Sequence, residues 1–151
     1  MLEHVLSAPG SPAYCQLHYN EAHHWIQATW QGFVDATAAH QGASTCLQLL
    51  RQTNCPYLLN DNSRLRGPWF DSLQWLSAEW GPGAARAGLR YVAHVAQPGT
   101  FATEYLGAHL QELLGHFAIQ VFDHAHDAHE WLRACQLPPR AHEHSFPVGA
   151  A

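Results

Sequence analysis

The stretch RYVAHVA, Arg90 to Ala96, constrains the fold more than any other, because it is apolar on both alternating faces: Tyr91, Ala93 and Val95 on one, Val92, His94 and Ala96 on the other. A strand of that kind needs cover on both sides, which marks it as an inner strand of a largely parallel, helix-covered sheet. Upstream, Tyr14–Tyr19 and Trp25–Trp30 alternate with a period of two, placing Cys15, Leu17 and Tyr19 on one face of the first strand and Ile26, Ala28 and Trp30 on one face of the second. The NEAHH between them reads as the turn of a β-hairpin.

The rest of the chain alternates helix and strand. Asp35 is placed to cap a helix whose apolar stripe is Ala39, Ala43, Cys46 and Leu50, and Asn54 and Pro56 end it. YLL, Tyr57 to Leu59, is a short strand closed by the polar run Asn60, Asp61, Asn62, Ser63. A helical stretch from Trp69 towards Trp80 is expected to break at Gly81-Pro82-Gly83. After RYVAHVA, Thr100 caps a helix carrying Phe101, Tyr105, Leu106, Leu110 and Leu113, followed by strand FAIQVF and a last helix from about Ala125 to Cys135 holding Trp131 and Leu132. The order is β-β-α-β-α-β-α-β-α. It implies an α/β fold with a single mixed β-sheet: an N-terminal hairpin, then β-α repeats, with helices packed on the sheet and right-handed crossovers bringing the later strands parallel.

At 151 residues the chain fits one domain. The pattern assigns residues 1–13 to an N-terminal extension, 14–136 to the α/β domain and 137–151 to a flexible tail. Charged residues are 13% of the chain, about half the ~25% usual for a soluble domain. There is no lysine and the seven arginines are scattered, which argues against nucleic acid or an anionic membrane surface as a partner. No basic-then-apolar start and no run of ~20 apolar residues is present, so neither secretion nor membrane insertion is expected and the location reads as cytoplasmic. Cys15, Cys46, Cys55 and Cys135 form no C-x-x-C pair and read as small core residues.

Taken together, the tyrosine-bearing hairpin, WQG at Trp30–Gly32, LQLL at Leu47–Leu50, LLNDNS at Leu58–Ser63, GPW at Gly67–Trp69, YVAHVAQP at Tyr91–Pro98 and FDHAHDAHEWL at Phe122–Leu132 resemble the SpoIIAA-like, or STAS, domains of bacteria, in particular the branch described as STAS or CRAL-TRIO-like. The resemblance covers Tyr14 to Leu132 and implies a non-enzymatic regulatory or ligand-binding domain. In the anti-sigma-factor antagonists of that family a serine in a D-S-S-G motif is phosphorylated by a partner kinase. The nearest match here is Asp71-Ser72, followed by Leu73 and Gln74 in place of the second serine and the glycine.

Three kinds of chemistry compete for the remaining residues. Asn60, Asp61, Asn62 and Ser63, at the end of an inner strand and with Arg66 beside them, would either fold back on their own main chain as a turn or hold the polar end of a small ligand or a partner loop. Trp69, Leu73, Leu76 and Trp80 share one helical stripe, whereas Phe70 and Trp75 fall outside it; one face cannot bury all of these aromatics, and the surplus, with Trp69 and Trp75 as its site residues, is assigned to a ligand cleft or a homodimer contact. On this reading the protein binds a small apolar or amphipathic ligand, or a protein partner, and carries no cofactor. A metal alternative uses His124, His126 and His129, of which His126 and His129 sit i, i+3 on the last helix. A hydrolase alternative uses Ser63 with Asp61 and His94, without any G-x-S-x-G elbow.

Overall fold

A computed structural model of the chain describes residues 2–67, 69–97 and 109–138. Six strands form one sheet in the order in which they occur: β1 (Glu3–Ser7), β2 (Ala13–Asn20), β3 (Trp25–Phe33), β4 (Tyr57–Arg66), β5 (Tyr91–Val95) and β6 (Ala118–Phe122). The first three pair antiparallel, and β3 through β6 pair parallel. The expected mixed sheet with an N-terminal hairpin is present. It begins earlier than expected: the segment assigned to an extension before residue 14 supplies β1, whose Glu3–Leu6 pair with Cys15–His18. The isolated EHVLS carries too few apolar residues to announce a strand. Val5, 59% exposed, shows that this edge is wet on one face.

Because every strand from β3 onward is added on the same side of its predecessor, right-handed crossovers place all the connecting helices on one face of the sheet. That face carries α1 (Ala36–Thr53), a composite helical segment after β4, and α4 (residues 109–113). Among the described residues only α5 (Ala125–Cys135), which follows the edge strand β6, covers the other face, where Ala128 and Leu132 pack with Trp25, Leu59, Ala93 and Val95. The two-sided cover that RYVAHVA requires is thereby supplied.

Local chemistry sets the element ends. Asp35, in extended conformation, accepts from the Ala38 N–H at 2.9 Å and starts α1. Asn54 closes it in the left-handed conformation, its N–H bonded to the Leu50 carbonyl. The composite segment runs as a 3-10 turn (Trp69–Ser72), one α turn α2 (Leu73–Trp75), a π-helical stretch (Leu76–Trp80) and α3 (Gly81–Ala87). Gly81-Pro82-Gly83, expected to break the helix, is a joint through which it continues. Pro82 sits in the first turn of α3, directly after the π-helical stretch, so the change of helix type falls where proline cannot donate. The expected helix cap Thr100 and its first residues lie outside the described residues, as does most of the expected tail; Leu110 and Leu113 are helical as expected.

The largest correction concerns Asn60–Ser63. They are not a turn at a strand end but the middle of the ten-residue β4. Pairing with β5 stops at Asp61, yet β3 continues beside β4 as far as Phe33 opposite Arg66. Thr29 pairs with Asp61 and Gln31 with Arg64, so β4 holds one extra residue there, a β-bulge.

Candidate functional site

Between the sheet and the one-sided helical layer lies a cavity of about 100 Å³. Its walls are apolar: Ala39, Ala43 and Cys46 from α1, Leu73 and Leu76 from the composite segment, Leu110 and Leu114 from the α4 region, and Leu58, Leu65 and Val92 from the sheet. Small residues on α1 leave the space, since alanines facing the sheet fill less of the layer than the leucines around them. The volume is below the ~150 Å³ of an apolar cavity that accepts benzene.

One end of the cavity is polar, and three strands build it. Asn60 and Asn62 come from β4 and His94 from β5, with Trp30 of β3 alongside. Residues 58, 60 and 62 share the helix-facing side by the period-two rule, and the bulge then returns Leu65 to that side. The indole N–H of Trp30 donates to Asn60 Oδ1 at 2.9 Å. An indole nitrogen can only donate, which fixes the orientation of the Asn60 amide. Its NH2 group therefore faces Asn62 Oδ1, at 3.3 Å, and His94 Nδ1, at 3.0 Å. His94 Nδ1 is then an acceptor, and the ring is neutral with its proton on Nε2. Burial pushes His94 down to about 4, against a smaller upward pull from Asp61.

Trp30 reaches Asn60 because Gly42 on α1 makes room. A Cβ at position 42 would fall on the Trp30 ring at far less than contact distance. The outer edge of the indole's six-membered ring consequently lies against a helix backbone that has no side chain at that point.

The other sequence-predicted residues lie elsewhere. Asp61 accepts from the Ser63 N–H at 2.9 Å and from the Ser63 hydroxyl at 2.6 Å, the local self-bonding typical of short polar side chains. Arg66 is exposed, away from the cavity, beside a recess that also includes Tyr14, Phe33 and Arg64. The backbone of Trp69 forms the start of the 3-10 turn. Trp75 is half-buried and stacks on His40 of α1, with centroids 4.0 Å apart and planes at 18°, so it packs between helices and not in the cavity. Trp25, Trp30 and Trp80 are buried, and the Trp80 indole donates to the Ala43 carbonyl at 2.7 Å. Of the aromatic surplus expected at a cleft or dimer contact, Trp75 packs on α1 within the protomer, and the side chains of Trp69 and Phe70 lie outside the described residues.

Ser72 is 2% exposed, and its hydroxyl has no hydrogen-bond partner among the described residues. A kinase would reach that oxygen only if the segment opened, so its burial lends the phosphorylation assignment no support. The metal alternative lacks geometry as well. Among the described residues no three His, Cys, Asp or Glu side chains are grouped to hold an ion. His124 and His126 are exposed, whereas His129 lies edge-on to Trp25, with burial and then the neighbouring His23 and His126 lowering its pKa. In the hydrolase alternative Ser63 bonds to Asp61 and His94 bonds to Asn60, so the nucleophile and the base have different partners. Trp30, Gly42 and the leucines of the cavity were missed as site residues. Periodicity marks them as core, which they also are.

The sequence matches no family model and no curated protein. Among solved structures the chain is similar to an uncharacterized protein of the DUF3478 family from Shewanella loihica PV-4, which has a SpoIIAA-like fold. The match has a TM-score of 0.55 and 17% identity, and covers 78% of this chain and 91% of that one. The likeness shows the fold: a single mixed sheet with helices, of the SpoIIAA-like type. No helix among the described residues is long and apolar enough to cross a membrane.

Proposed function

We propose that this domain is a non-enzymatic binding module that takes a small amphipathic molecule into the space between its sheet and its helical layer. The observation that carries the reading is an apolar cavity of about 100 Å³ ending in a buried cluster of two amides and a neutral imidazole. Apolar walls with a few convergent polar groups are the general form of a small-molecule site. The volume is below the ~300–1,000 Å³ of drug-sized pockets, so the fitting molecule has only a handful of heavy atoms. The separate partners of Ser63 and His94 support binding over hydrolysis.

Native mass spectrometry of protein purified from its own cells, joined to an NMR titration with small organic molecules, tests the reading. Saturable shifts at cavity residues that disappear in Ala39→Leu, which fills the space, are the expected result. A protein that carries no small molecule and shows no saturable shift with any of them overturns it.

A further inference from the structure

We propose that the molecule bound in the cavity is uncharged and offers a hydrogen-bond acceptor, a ketone, aldehyde or ester carbonyl, to the side-chain amide of Asn62. This rests on the small-molecule reading above and narrows its chemistry. The two amides and His94 Nδ1 at the polar end are engaged as follows. Asn60 Oδ1 takes the Trp30 N–H, and the Asn60 NH2 is shared between Asn62 Oδ1 and His94 Nδ1. Asn62 therefore presents an oxygen that is already engaged and an NH2 that has no partner among the described residues. Asn62 is 7% exposed and lines the cavity, so that NH2 is a donor the protein leaves open to whatever occupies the space. An acceptor on the bound molecule gives that donor the net gain of one hydrogen bond.

The same inventory disfavours charge. No arginine among the described residues lines the cavity, and Arg64 and Arg66 are exposed, off its walls. A carboxylate there would lose its water without gaining a cation, which is costly. An ammonium group would meet Asn62 as a second donor, with no carboxylate among the described residues on the walls.

Three probes with the same number of heavy atoms separate these chemistries: butan-2-one, 2-methylbut-1-ene and propanoate, titrated at pH 7 into the 15N-labelled full chain. The ketone is expected to bind about tenfold more tightly than the alkene, the yield of one net hydrogen bond, and to shift the Asn62 side-chain NH2 resonances. Propanoate is expected to bind more weakly than the ketone. In Asn62→Leu the ketone should lose its advantage while the alkene still binds. Propanoate binding as tightly as the ketone, a ketone no better than the alkene, or an advantage that survives in Asn62→Leu each overturns the inference and leaves the small-molecule reading intact. If Asn62→Leu does not fold, the ranking of the three probes on the unaltered chain decides alone. Absence of saturable binding for all three overturns the small-molecule reading, and the inference with it.

Discussion

Trp30 and Asn60, thirty residues apart in sequence, are joined by a 2.9 Å hydrogen bond across neighbouring parallel strands, and that bond sets the direction of every other polar contact at the closed end of the cavity. Because the indole only donates, the amide cannot turn round without losing it.

Replacing Asn60 by Leu removes the hydrogen bonds to the Trp30 N–H, Asn62 Oδ1 and His94 Nδ1 while keeping the branched side-chain shape. Three groups lose a hydrogen bond, and destabilisation of about 2–4 kcal/mol is expected. Urea unfolding followed by tryptophan fluorescence measures it; a change below about 0.5 kcal/mol would show that water replaces the amide.

Gly42→Ala drives a methyl group into the Trp30 ring. Overpacking of this kind costs about 1–3 kcal/mol, although alanine is the better helix former at an unobstructed site. Gly115→Ala is the control, since a Cβ there meets nothing closer than 3.5 Å. Equal thermal midpoints for the two variants would contradict the close approach of Trp30 to α1.

His94 links stability to pH. Its folded pKa, about 4, lies below the unfolded value of 6.5, so between these values the unfolded chain binds the extra proton. The contribution is complete above pH 6.5 and is lost as pH falls towards 4, with a slope of at most about 1.4 kcal/mol per pH unit. His129, also lowered, adds in the same direction. Long-range 15N NMR should find His94 Nδ1 unprotonated at pH 5.5, and titration of His94 near 6.5 would refute the assignment.

The cysteines differ in accessibility. Cys15, Cys46 and Cys55 are buried, and burial raises all three thiols, Cys46 to about 12. Cys135, also raised by burial, is only partly covered. Alkylation at pH 8 followed by mass spectrometry should label Cys135 first and the other three upon unfolding. Early labelling of Cys46 would reveal an opening of α1.

Much of the architecture was legible in the residues. Period-two alternation located the hairpin, the two apolar faces of RYVAHVA located β5 between layers, and Asp35 and Asn54 bounded α1, because these signals are local. The polar run in β4 was misplaced for a physical reason. Asn and Asp disfavour strands unless cross-strand partners satisfy them, and those partners, Trp30 and His94, are about thirty residues away in either direction. The cavity was illegible for a similar reason: Ala39 and Ala43 look like ordinary core until the leucines of three distant segments are placed around them. Trp75 was assigned by subtraction from one helical stripe, and its partner His40 sits on a different helix.

The extra residue in β4 has a consequence for how this domain tolerates change. With strict alternation past Asn62, Arg64 would enter the apolar layer and Leu65 would face water; the bulge shifts the count by one, so Leu65 is buried and Arg64 stays outside. Losing a single residue between 61 and 64 would invert the inside and outside of the strand end, whereas swapping side chains there leaves its parity untouched. Length, more than identity, is what that short stretch has to keep.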